Sequence, residues 1–88
     1  MTDEEFKKAI IEEIHRPVGS QNTRAILIEF KEGGGEQARA YEMLCGILLE
    51  MREAGVEEEV DDALLDTLDS VGGYIAPAYR IWPHLLDV

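Results

Sequence analysis

Between Arg52 and Arg80 the chain carries eight carboxylates, Glu53, Glu57, Glu58, Glu59, Asp61, Asp62, Asp66 and Asp69, and no basic residue. On a helix, Glu58, Asp62, Asp66 and Asp69 step by four, four and three positions, which sets them on one face with neighbours about 5 to 6 Å apart. Like charges at these spacings weaken the helix that carries them. What such a row does well is attract and hold a basic surface, mimicking a row of phosphates in the groove of a nuclease, a restriction factor or another nucleic-acid enzyme. A charge run is more often a solvated face that keeps a small protein soluble, and that use stands beside the first.

Directly after the acids come Tyr74, Tyr79, Arg80 and Trp82, residue types enriched at binding hot spots. Beside a negative helix face, Tyr74, Tyr79 and Trp82 would supply the apolar contact of a partner surface. The competing use is structural: one buried aromatic removes about 150 to 250 Å² from water, and a thin core needs it.

Other chemistry finds little support. Glu12 and His15 form a Glu-x-x-His pair, the spacing of carboxylate-bridged di-iron bundles, but such sites need two copies and two further glutamates. Only a symmetric dimer would supply the second copy, with Glu42 or Glu50 as the added carboxylate, so a small metal-dependent helical enzyme is a remote alternative. His84 and Asp87 are also three apart, without a third ligand nearby. Gly33-Gly34-Gly35 leads into a helix but lacks the Lys-Ser or Lys-Thr of a phosphate loop and reads as a flexible linker. Asp61, Asp62, Asp66 and Asp69 miss the alternation of a calcium loop. Ser20, Ser70, Thr2, Thr23, Thr67 and Cys45 have no positioned base in sequence. No catalytic, cofactor-binding or metal-ligating residue is expected.

The elements that must position these residues are helices. Thr2 and Glu5 have capping-box spacing, and Phe6, Ala9, Ile10 and Ile14 then mark one face of a first helix ended by Pro17 and Gly19. The segment 20–32 is ambiguous. Ile26, Leu27 and Phe30 form a helical stripe behind Ser20 or Asn22 as cap, while Ile26, Ile28 and Phe30 would line one side of a strand over residues 23–30. Ala25, Leu27, Glu29 and Lys31, with Gly33 as a stop, favour helix. A third helix spans residues 36–54 and is closed by Gly55, and its stretch from Met43 to Leu49 is apolar on every side. That places it at the centre of the bundle or in a face shared with a second copy, and Gly46 would let a neighbouring helix approach. A fourth helix over residues 57–71 turns Val60, Ala63, Leu64, Leu68 and Val71 inward and ends at Gly72-Gly73. Pro77 and Pro83 each suit the start of a short turn in the tail.

The fold expected is therefore all-α: one domain over residues 1–88, a three- or four-helix bundle closed by an aromatic C-terminal segment. The alternative is α+β with one strand near residues 23–30. With 88 residues the core is thin, and with 45% apolar residues the chain is too hydrophobic to stay disordered. A net charge of -11 opposes direct contact with nucleic acid or an anionic membrane surface. No run approaches the roughly 20 apolar residues of a membrane span, and the acidic start does not resemble a signal peptide, so a cytoplasmic location is expected. These features point to a non-enzymatic interaction module of inhibitor or immunity type, holding a basic protein partner with Glu58, Asp62, Asp66, Asp69, Tyr74, Tyr79 and Trp82. The alternative is a structural homo-oligomer paired through Met43 to Leu49.

Overall fold

Thr2 begins the first helix as its sequence spacing predicts. Its hydroxyl accepts the Glu5 amide at 3.1 Å, and the Glu5 carboxylate accepts the Thr2 amide at 2.8 Å. These bonds hold the Glu5 carboxyl below its usual range. The computed structural model describes residues 1–17 and 19–85, and helix α1 runs Asp3–Ile14 with Phe6, Ile10 and Ile14 buried.

The ambiguous segment is helical. α2 spans Thr23–Glu32, capped by the Asn22 side chain, which accepts the Ala25 amide at 3.2 Å. Leu27 and Phe30 point into the core and Ile28 faces outward, a separation that a strand with Ile26, Ile28 and Phe30 on one side would not give. Packing decides it: the Phe30 ring lies 4.5 Å from that of Phe6, tilted by 44°, joining α2 to α1. No strand occurs among the described residues.

Gly33, Gly34 and Gly35 form a built turn where a flexible linker was expected. Their amides donate to the carbonyls of Glu29, Lys31 and Phe30 at 3.1, 2.9 and 2.8 Å. No amide of the three is left to cradle a phosphate. Gly35 passes so close to the Phe30 ring that a Cβ would come within 2.3 Å of it, so this position tolerates no side chain without moving the core.

α3, Gln37–Ala54, is the central helix and pairs most closely with α4, Glu58–Gly72. It buries Ala40, Met43, Leu44, Ile47 and Leu48, and left-handed Gly55 ends it. α4 buries Val60, Leu64, Leu68 and Val71 as the apolar pattern requires, and also Thr67, the one buried polar side chain among the described residues. The Thr67 hydroxyl reaches the Ala63 carbonyl at 2.7 Å and bonds the Thr23 hydroxyl at 3.0 Å, so its polarity is satisfied while it joins α4 to α2.

Beyond Gly73 the tail makes a single short 3-10 turn, Pro77–Tyr79, and then buries Ile81 and Trp82 against the helices. Side chains from other elements catch its backbone. Arg24 donates to the Tyr79 carbonyl, Lys31 to Ile81 at 2.6 Å, and Gln37 to His84 at 2.8 Å while also holding the Val71 carbonyl of α4 at 2.8 Å. The all-α bundle closed by an aromatic segment is thus four helices plus a strapped-down tail. Pro83 starts no helical turn.

Candidate partner-binding face

Glu58, Asp62, Asp66 and Asp69 all lie exposed on the outer side of α4, and none forms an ion pair among the described residues. Asp61 behaves differently. It is turned toward α3, where Arg52 donates Nε to Oδ1 at 2.7 Å and a terminal nitrogen to Oδ2 at 3.2 Å, keeping its carboxyl below the usual range. The row of four thus faces solvent, with no cation among the described residues drawn to it.

Leu65 sits inside that row, three positions after Asp62 and four before Asp69, and is 39% exposed. It is not among the partner-binding residues expected from the sequence. Its signal was available: it stands outside the inward stripe of Val60, Leu64, Leu68 and Val71. At the end of α4 the Tyr74 ring covers Gly72, where a Cβ would lie 2.9 Å from the ring and 3.6 Å from that of Tyr41. Burial raises the pKa of the Tyr41 phenol, and the neighbouring Cys45, Tyr74 and Asp69 raise it further. Asp69 and Tyr74 therefore share one corner, and the acid row runs into an exposed aromatic there, Tyr74 being 55% exposed.

The other two aromatics part ways, Tyr79 on the surface and Trp82 inside. Tyr79 is exposed, its backbone carbonyl is held by Arg24 of α2, and its neighbour Arg80 donates to the Gly73 carbonyl next to Tyr74. Trp82 is 8% exposed and belongs to the core, so the surface role expected of it is replaced by a structural one. A large indole gains more from burial than a rim contact offers, and a core this small draws it in.

The apolar stretch from Met43 to Leu49 is mostly consumed inside the molecule. Met43, Leu44, Ile47 and Leu48 are buried, Cys45 and Gly46 are half-buried, and Leu49 alone is exposed. A Cβ on Gly46 would meet nothing within 4 Å, so no neighbouring helix of the protomer uses that glycine for close approach.

The His15 ring bonds the Ile11 carbonyl through Nδ1 at 2.7 Å and is exposed. Among the described residues no cluster of His, Cys, Asp and Glu could hold a metal ion. Asp87, the partner suggested for His84, lies outside the described residues. Burial pushes the Cys45 thiol up, away from the thiolate that a nucleophile requires. A cleft of about 620 Å³ opens between the end of α1 and the α3–α4 turn, lined by His15, Arg16, Gln21, Glu57 and Glu59 among others. It brings no nucleophile against a base. No helix among the described residues is long and apolar enough to cross a membrane. No known protein family, curated protein or solved structure matches this chain, so the geometry alone carries its functional reading.

Proposed function

We propose that this chain is a non-enzymatic interaction module that holds a protein partner with a basic surface on the outer face of α4, acting as a small inhibitor or immunity-type protein. One observation carries this reading: four exposed, unpaired carboxylates surround an exposed leucine and lead to an exposed tyrosine. The carboxylates steer the partner and set its register, and Leu65 and Tyr74 add the water-excluding contact that charge alone does not supply. Leu65 gives the charged face an apolar spot against which a partner side chain can pack. The protein works from the cytoplasm in this reading and contacts neither nucleic acid nor membrane directly, because a charge of -11 repels both.

The test is capture of partners from the source organism's lysate by the wild type, by a variant carrying Asn or Gln at Glu58, Asp62, Asp66 and Asp69, and by Leu65→Ser. One basic protein, retained at low salt, released at high salt and missed by both variants, is the expected result, and inhibition of that protein's activity is then assayed. Retention by both variants removes the α4 face from the interaction.

A second reading rests on Leu49, which is 63% exposed beside half-buried Gly46 on the outer side of α3. Two copies pairing there would form a homo-oligomer with no external ligand. Glu42, Glu50 and Glu53 border the same side and oppose such pairing, which makes this the weaker reading.

A further inference from the structure

Three of the chain's eight basic side chains, Arg24, Lys31 and Arg80, line one pocket of about 290 Å³ together with Ile28, Ile81 and Glu32. Arg24, Ile28 and Lys31 follow one another at helical spacing along a single stripe of α2, and the tail lays Arg80 and Ile81 beside it. Each cation donates one bond to a backbone carbonyl: Arg24 to Tyr79, Lys31 to Ile81, and Arg80 Nε to Gly73 at 3.0 Å. None of them forms an ion pair among the described residues, although the chain holds 19 acids and Arg16, Arg39 and Arg52 are all paired.

Fastening the tail does not require these charges. Gln37 does the same work as a neutral side chain, tying the His84 carbonyl of the tail to the Val71 carbonyl at the end of α4. A guanidinium has five N–H donors and an ammonium three, so one bond each leaves most of the donors in this pocket unspent. Three cations against one carboxylate, Glu32, give the lining a positive excess in a molecule that is otherwise strongly negative.

We propose that this pocket binds a small organic anion, with an oxyanion head, carboxylate or phosphate, among Arg24, Lys31 and Arg80 and a short apolar stem on Ile28 and Ile81. Planar guanidinium forks suit either head. The stem is part of the assignment because the molecule's net charge opposes every anion at long range. Affinity must come from contacts within a screening length of about 8 Å and from apolar burial. The site is independent of the α4 face and survives if that face proves inert.

Amide NMR of the intact protein at constant ionic strength tests it, with hexanoate, butyl phosphate, inorganic phosphate and butylammonium as probes. Saturable shifts centred on Arg24, Ile28, Lys31 and Ile81 are expected with hexanoate and butyl phosphate, and binding of inorganic phosphate should be about tenfold weaker. Two substitutions leave the bonds to the tail intact, because Ile28 and Glu32 make none of them. Ile28→Glu should weaken binding about tenfold or more, and Glu32→Gln should tighten it by about threefold. Shifts that fail to saturate, that butylammonium reproduces, or that persist in Ile28→Glu overturn the site. Inorganic phosphate binding as tightly as butyl phosphate overturns the stem.

Discussion

Arg52 and Asp61 grip each other through two hydrogen bonds across the turn between α3 and α4, the one ion pair that α4 makes among the described residues. The bond from Arg52 lowers the Asp61 pKa, as the Thr2 bonds lower that of Glu5. A carboxyl depressed in the folded state stabilises the fold above its unfolded value, and that stability is lost as pH falls through the lowered value. Unfolding midpoints measured from about pH 5 down to about pH 2 should therefore fall less steeply in Asp61→Asn and in Glu5→Gln than in the wild type. Parallel curves in all three proteins would show that neither bond contributes.

Neutralising the α4 row should stabilise the protein. Glu58 and Asp62, Asp62 and Asp66, and Asp66 and Asp69 are like-charge neighbours, each pair costing about 0.2 to 0.5 kcal/mol on an exposed helix. Position refines the expectation. Glu58 sits in the first turn, where the helix dipole favours a negative charge, whereas Asp69 sits in the last, where it does not. Asp69→Asn should gain and Glu58→Gln should gain less or lose, as read by urea denaturation at low salt, and high salt should erase the difference. A variant that is more stable and yet no longer captures its partner is the signature of a face kept for binding at the expense of stability.

Trp82 and Tyr79, three residues apart in the tail, should respond very differently to truncation. Trp82 is buried, and Trp82→Ala should cost about 3 to 5 kcal/mol, a large share of the stability of a domain this size. Tyr79 is 64% exposed, and Tyr79→Ala should stay within about 0.5 kcal/mol. Equal losses, read by chemical denaturation, would place Tyr79 in the core as well.

α1, α3 and α4 were legible in the sequence because their evidence is local. Thr2 with Glu5, the spacing of Phe6, Ile10 and Ile14, and the stops at Gly55 and Gly73 each concern one helix and its own ends. α2 was less legible because its deciding contact, Phe30 on Phe6, joins residues 24 positions apart. The tail was least legible. Lys31 reaching Ile81 and Arg24 reaching Tyr79 span more than half the chain, and no spacing rule announces a cation that will bind a distant carbonyl. The acids were legible as exposed because helical periodicity predicts exposure, whereas Tyr74, Tyr79 and Trp82 were read from residue type, which does not say which large aromatic a small core will take. Thr67 was missed for the related reason that a polar residue on an inward stripe becomes a core residue only when a partner such as Thr23 stands opposite.

Gly46→Ala separates the two surviving accounts of α3. Glycine in the middle of a helix costs about 1 kcal/mol relative to alanine, and a methyl at Gly46 meets nothing within 4 Å. In a monomer the substitution should therefore raise the melting temperature by roughly 4 to 8 °C, independent of protein concentration. If two copies pack Gly46 and Leu49 against each other, the added methyl falls inside their contact. The wild type then melts higher at high concentration, and Gly46→Ala loses that dependence while shifting to monomer in sedimentation equilibrium. A concentration-independent gain leaves Leu49 as an isolated exposed leucine and removes the homo-oligomer.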